Sequence, residues 1–335
     1  MARSGRLNIG STRLRHLSEA VLAACDLPAD GSAAVALSGG ADSSVCAWAS
    51  GRSGRPVRAL HVHHGLPASD TLAAAAEAVA SRLGLSITVL RVAVPDGSSF
   101  EARARDLRYA AMEAAMDDEE WLLTGHTADD QAETVLINLL RGAGIDGLAG
   151  IPARRGRVAR PLLGVTRAET RELATLLELP WLDDPANLDP HPLRNRVRRD
   201  LLPALEAGYR PGLSAALARM AGRAGAEAAH LQEQADRLTL DLCPAGARLA
   251  AAELVTFPGV VAARAIRAAL RAVRPPYAGT AEEVALVQGV AVGETSHARL
   301  PGGLVARRRG PWVELTAATE PAVPGEPVTW ALPGA

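Results

Sequence analysis

Ser38-Gly39-Gly40-Ala41-Asp42-Ser43 stands between a short apolar run, AAVAL, and the start of a helical pattern, and no other segment is as well suited to holding a phosphate. Two glycines without Cβ let the backbone bend tightly, so that successive N–H groups converge on an anion. A helix beginning at the turn adds the partial positive charge of its N-terminus. The hydroxyls of Ser38 and Ser43 are further donors. Asp42 repels a bare phosphate, so its presence calls for either a Mg2+ ion or a helix cap. The turn lacks the length and the lysine of the G-x-x-x-x-G-K-[ST] loop and the spacing of G-x-G-x-x-G. The plain alternative is an ordinary glycine-rich strand-to-helix turn.

A second set of residues follows the apolar run WLLTG at 121–125. At helical spacing His126 lies four residues before Asp130, and Asp129 four before Glu133. Acids gathered at the end of a strand suit a Mg2+ ion whose other positions are filled by phosphates, or the ammonium of an amino acid. Capping by Asp129 or Asp130 and a surface i,i+4 pair are the bland readings. Arg105, Arg108 and Tyr109 share a helical stretch, where one arginine can face a nucleotide or amino acid and the other solvent, structure or RNA. His61, His63 and His64 look like a metal cluster, but along a strand His61 and His63 share a face and His64 points away. Two arginine clusters, 154–160 and 194–199, suit RNA phosphates on either side of a reacting base, or are solvated surface. Every basic residue is Arg, since the 335 residues contain no Lys, so phosphate contacts fall to Arg, backbone N–H or metal.

These residues need elements to position them. Strands are expected at 33–39, 57–65, 85–94 and 121–125, and helices at 11–24, 43–50, 70–83, 100–117 and about 129–141. That alternation predicts a doubly wound, mostly parallel sheet of the five-stranded type with flanking helices. A smaller helical or α+β C-terminal region should follow, with helices near 257–273 and 280–289 and a hairpin within 297–315. The expected division is 1–190 for nucleotide binding, 191–240 for a helical, RNA-contacting linker, and 241–335 for a small C-terminal domain. Thirty-six basic against 37 acidic residues leave a net charge of −1, which does not exclude a nucleic-acid partner because such a footprint is local. Three widely spaced cysteines offer no C-x-x-C framework for zinc or an iron–sulfur cluster. With no long apolar run and no signal-like start, the sequence predicts a cytoplasmic protein without membrane contact.

SGGADS resembles the SGGxDS pyrophosphate loop of ATP pyrophosphatases that adenylate their substrates. Further segments are similar to the tRNA(Ile)-lysidine synthetase family within that group: HVHHGLPAS (61–69), with Pro67 where Arg is common; EARARDLRY (101–109); TGHTADDQAETVLINLLRG (124–142); RPLL (160–163); and DDPANLDPHPLRNRVR (183–198). The strong part of the resemblance covers about 33–205, and the chain is shorter than members with a further C-terminal domain. The resemblance implies ATP and Mg2+, a tRNA(Ile) with a CAU anticodon, and free L-lysine, with adenylation in 1–190 and substrate binding in 241–335. It assigns Ser38, Gly39, Gly40, Ala41, Asp42, Ser43, His64 and His126 to the nucleotide, and Asp42 and Asp130 to metal. Asp42, Arg105 and Asp130 fall at the reacting groups, and Arg108, Asp129, Glu133, Arg194, Asn195 and Arg198 at lysine or RNA. No stable protein partner is implied, and a homodimer stays open. A tRNA thiolase and a non-catalytic, nucleotide-dependent RNA-binding protein are the rival readings.

Overall fold

Ala33–Ala36 (β1) is the centre of the N-terminal sheet, and Ala33, Ala34 and Val35 are buried because strands lie on both sides and helices on both faces. The computed structural model describes residues 3–93, 100–184, 193–244 and 246–317. Before β1 runs α1 (Arg3–Ala24), and after it α2 (Ala41–Ser50), β2 (Val57–His63), α3 (Ser69–Leu83), β3 (Ile87–Arg91), α4 (Phe100–Ala114), β4 (Trp121–Leu123) and α5 (Ala128–Leu140). The strand–helix alternation expected from the sequence is therefore present. Segments that gave no pattern of their own complete this part: α6 (Ile145–Leu148), β5 (Arg154–Arg155), β6 (Val158–Ala159) and α7 (Arg167–Leu176). Two-residue strands are too short for alternation to register, and α7 is announced only by a capping box. In that box the Thr166 N–H donates to Glu169 Oε2 at 2.8 Å, and the Glu169 N–H donates to Thr166 Oγ1 at 3.2 Å.

The sheet order is β3-β2-β1-β4-β6-β5, with all neighbours parallel except the β5–β6 hairpin. Pairing of Ala33 with both Val57 and Trp121 brings the carboxyl ends of β1, β2 and β4 to one edge. The order reverses between β1 and β4, and a crevice outside the strand ends at such a reversal is where open α/β sheets bind ligands. α2 buries Val45, Cys46, Ala47 and Trp48, and α3 buries Ala75, Ala76, Val79 and Ala80. Small side chains at these contacts let the helix backbones approach the sheet closely.

The chain divides into two compact units, Met1–Gly225 and Ala226–Ala335. After α7 the first unit continues through α8 (Leu193–Arg196), a π-helical turn (Val197–Leu201), α9 (Leu202–Gly208) and the beginning of α10 (Leu213–Ala235). The second unit holds β7 (Leu240–Cys243), β8 (Gly246–Ala250), α11 (Ala251–Thr256), α12 (Gly259–Val273), α13 (Ala281–Val292), β9 (His297–Leu300), β10 (Leu304–Arg309) and β11 (Trp312–Ala317). Its five strands form an antiparallel sheet in the order β7-β8-β11-β10-β9. Leu249, Leu300, Leu304, Val313 and Leu315 alternate inward to meet Ile266 and Leu270 of α12 and Val287 of α13. The expected hairpin at 297–315 is three strands, and the β7–β8 hairpin before it was not read from the sequence.

Candidate active site

The SGGADS turn leaves the end of β1 at Leu37, whose N–H still donates to Leu60 O at 2.8 Å. Gly39 has φ +90°, and a Cβ there would lie 2.7 Å from Leu72 O, so only glycine fits. The turn braces itself. Ser43 Oγ donates to Gly40 O at 3.0 Å and accepts from the Ser38 N–H at 3.1 Å, and the two serine hydroxyls are 3.0 Å apart. Ser44 Oγ donates to Gly40 O at 2.9 Å. Ala41 and Asp42 form the first turn of α2, where backbone N–H groups have no intrahelical acceptor. From the far side the Leu182 N–H donates to Gly39 O at 2.9 Å, so the connector after α7 closes onto the turn. The β4–α5 corner closes it from a third side: a Cβ on Gly125 would meet Asp42 and Ser43 backbone at 2.8 Å.

Asp42 points from this turn toward α7. The Thr170 hydroxyl donates to Asp42 Oδ1, and Arg167 Nε lies 3.7 Å from Oδ2. Burial pushes the Asp42 carboxyl up to about 6, against the pull of Thr170 and Arg167. One loose ion pair does not offset the desolvation of the charge.

At the first turn of α5 the carboxylates have a different environment. Asp130 Oδ2 accepts from the Thr127 N–H at 2.9 Å and the Thr127 hydroxyl at 3.1 Å, which caps α5. Its Oδ1 accepts from Arg167 Nη2 at 3.1 Å, Arg194 Nη2 at 2.9 Å and Arg198 Nη2 at 3.1 Å. Glu133, fully buried, accepts from the same three arginines: Arg167 Nη1 at 3.2 Å, Arg194 Nε at 2.9 Å and Arg198 Nε at 2.6 Å. Burial alone would raise the Asp130 carboxyl, but the guanidiniums of Arg194 and Arg167 hold it down at about 2. Asp129 takes no part in this fan and instead accepts from the Arg167 N–H at 2.7 Å, at the head of α7.

The expectation of Asp130 at a metal or an ammonium thus meets a carboxylate whose two oxygens are already engaged. Arg194 and Arg198, expected at RNA, are turned onto Asp130 and Glu133, while Asn195 lies one position along the same helix and is half-buried. The other expected arginine cluster is also largely committed. Arg154 Nη2 donates to Asp26 Oδ1 at 2.6 Å, Arg157 Nη1 to Asp117 O at 2.8 Å, and Arg160 Nη1 to Pro152 O at 2.8 Å. Asn187, in the connector, lies outside the described residues.

Burial lowers the pKa of His126, His64 and His61 at this edge. His126 Nδ1 lies 2.8 Å from Thr124 Oγ1, and burial brings its pKa down to about 4; the positive fields of Arg160, Arg194 and Arg105 add to that against the opposing field of Asp130. Arg105 itself lies over the Tyr109 ring at 5.3 Å. Arg108 Nε donates to His64 Nε2 at 3.2 Å, and burial, then the Arg108 charge, lowers the His64 pKa. His61 and His63 separate as strand geometry requires: His61 Nδ1 donates to Leu37 O at 2.8 Å, and His63 Nε2 pairs with Asp70 Oδ1 at 2.9 Å. Among the described residues no three His, Cys, Asp or Glu side chains gather as a metal site.

Arg167 and Thr170 were missed by the sequence reading. A cation at the first position of a helix opposes the helix dipole, and a Thr-Arg-Ala-Glu capping sequence that puts Arg there implies a specific acidic partner. That signal was available in residues 166–169. The identity of its partners, 34 to 125 residues away in the chain, was not.

Residues 13–205 match the family model of the PP-loop domain. The chain is 45% identical over 214 residues to a tRNA(Ile)-lysidine synthase of Pseudomonas aeruginosa, covering 61% of this chain and 47% of that protein. A protein of the same name from Ralstonia nicotianae is 41% identical over 300 residues, 84% of this chain and 64% of that one. A third, from Nocardia farcinica, is 44% identical over 240 residues, 70% of this chain and 74% of that one. The chain spans about half the length of several curated relatives it matches. On its PP-loop domain and its coverage of these relatives, the chain belongs to the tRNA(Ile)-lysidine synthase family of PP-loop ATPases.

Proposed function

We propose that this chain makes lysidine: it adenylates the C2 oxygen of the wobble cytidine in a CAU-anticodon tRNA(Ile), then couples free L-lysine to C2. The supporting observation is the SGGADS turn, with Asp42 between Thr170 and Arg167, at the edge where the Asp130–Glu133 arginine fan also ends. In the first step the cytidine oxygen bonds to the α-phosphorus of ATP and the α–β bridging bond breaks, releasing pyrophosphate. In the second the lysine ε-amine, having lost a proton, bonds to C2, and the C2–O bond breaks to release AMP.

The chain's own groups divide this work. The free N–H groups at the head of α2, with Ser38 and Ser43, bind phosphate oxygens. Arg167 joins this edge to the α5 carboxylates, lying 3.7 Å from Asp42 and 3.1 and 3.2 Å from Asp130 and Glu133. Asp42 is the carboxylate that fits Mg2+: one acidic ligand is enough for an ion that takes its other positions from phosphates and water, and the guanidinium beside it, Arg167, comes no nearer than 3.7 Å. When bound, that ion neutralises charge on the phosphates. Neutral His126 brings no charge to the edge at neutral pH. On this reading Arg105 acts at the reacting groups and Asp130 or Glu133 at the lysine ammonium, which there has to compete with three guanidiniums. A cytoplasmic location belongs to the same reading; among the described residues no helix is long and apolar enough to cross a membrane.

The cysteines do not favour the thiolase reading. Burial pushes the Cys25 thiol up to about 11 and the Cys46 thiol further, away from the thiolate that sulfur transfer uses. ATP–pyrophosphate exchange with and without CAU-anticodon tRNA tests the proposal. Exchange that depends on this tRNA, followed by lysine-dependent AMP release, is expected. ATP binding without pyrophosphate release would leave an RNA-binding protein, and AMP release requiring a sulfur donor would leave a thiolase.

A further inference from the structure

Arg194 and Arg198, expected on RNA, are spent on carboxylates, yet the first unit carries another basic surface that the sequence motifs do not mark. It lies at the turn from α9 into α10. Tyr209 is 85% exposed there, the most exposed of the large apolar side chains among the described residues, in a chain with only ten aromatic residues. A groove of about 410 Å³ beside it is lined by Leu213, Leu217 and Met220 and edged by Arg210, Arg219 and Arg223. All three arginines are exposed. None has an ion-pair partner among the described residues, and residues 209–223 contain no Asp or Glu.

The turn is built rather than loose. The N–H groups of Tyr209 and Arg210 both donate to Leu205 O at 3.0 Å. Glu206 ties the far side, accepting from the Gly212 N–H at 3.2 Å and from the Ser214 N–H and hydroxyl at 2.8 and 2.7 Å. Leu213 and Leu217 also pack on the cluster formed by Ala132, Leu136, Val197 and Leu202, so the groove floor is fixed to α5 and the π-helical turn. An exposed phenol buries no ring and so adds nothing to folding, and unpaired arginines one helical turn apart repel each other. Both features are explained by a partner that is flat, apolar on its faces and anionic along its backbone.

We infer that the α9–α10 corner is a docking surface for unpaired nucleotides of the substrate RNA. Tyr209 stacks on a base, and Arg210, Arg219 and Arg223 meet the adjoining phosphates. The inference rests on the proposed RNA substrate and specifies which residues hold it.

The test is equilibrium binding of a full-length CAU-anticodon tRNA transcript, followed by fluorescence anisotropy at several KCl concentrations, with a blunt RNA duplex as comparison. Tyr209→Ala should weaken tRNA binding roughly tenfold or more, the scale of one lost stack. Tyr209→Phe should restore it to within about twofold, and the duplex should not respond to either change. Arg219→Gln with Arg223→Gln should reduce the slope of log K against log salt by between about 1 and 2. ATP affinity without RNA and the far-UV circular dichroism should match the parent in every variant. Parent-like tRNA binding by Tyr209→Ala would overturn the surface and leave the RNA reading standing. A parent protein that binds no tRNA would end both.

Discussion

Two helices begin at the same edge of the same sheet, each with an aspartate in its first turn, and the two aspartates end in opposite electrostatic states. Asp42 opens α2 with a hydroxyl and one distant guanidinium, and burial raises its carboxyl to about 6. Asp130 opens α5 under three guanidiniums, and against its burial those of Arg194 and Arg167, with the Thr127 N–H, hold it at about 2. The difference assigns different work to the same residue type. Asp130 already has its cations and binds α5, α7 and α8 together, whereas Asp42 has a place for one more.

Glu133 tests the paired side hardest. Glu133→Gln removes a buried charge from beneath Arg167, Arg194 and Arg198, and breaking a buried pair in this way costs about 3–5 kcal/mol. Urea denaturation should show a clearly lower midpoint at an unchanged slope. A loss below about 1 kcal/mol would mean that the fan is not holding the helices. If Glu133 or Asp130 also orients lysine, single-turnover assays of Asp130→Asn should slow lysine transfer while adenylate formation survives; equal loss of both steps would remove that role.

Asp42→Asn probes the unpaired side. It should lower tRNA adenylation by about 100-fold or more, on the scale of removing one charge-stabilising group from a transition state, with stability at pH 7 kept or improved. Near-normal pyrophosphate release would break the contrast between the two aspartates.

The pH dependence sharpens it further. Asp42 binds its proton more tightly folded than unfolded, so its contribution is favourable below pH 4 and is lost as pH rises through about 6. Asp130 runs the other way, adding stability above pH 4 that is lost as pH falls toward 2. Relative to the parent, Asp42→Asn should therefore gain about 2–3 kcal/mol between pH 4 and pH 8, read as a difference in denaturation midpoints. A constant offset across that range would contradict the raised carboxyl. Thr170→Val should have the smallest effect: loss of one hydrogen bond to Asp42, about 1 kcal/mol, and a further upward shift of its titration, visible by carboxyl NMR.

Much of this protein was legible in one dimension because its signals are local. The βα alternation, the SGGADS turn and the acids at 129–133 depend on neighbours a few residues apart, so spacing alone brings them to a strand end or a helix start. Gly39 could be marked as a turn residue from its place after an apolar strand; that Leu72 O makes it obligatory could not. The division of labour among the charges was decided only by the tertiary structure. Arg194 and Arg198 read as an exposed basic cluster because no acid stands three or four residues from either, and their partners lie more than 60 residues away on α5. Arg167 was overlooked for the same reason, and Tyr209 because exposure leaves no trace in a sequence pattern. Whether a carboxylate is raised or lowered depends on burial and on charges within a few ångströms. Both arise only when α2, α5, α7 and α8 close on a single edge, so the sequence determined which groups this site contains and the packing determined which of them are free to act.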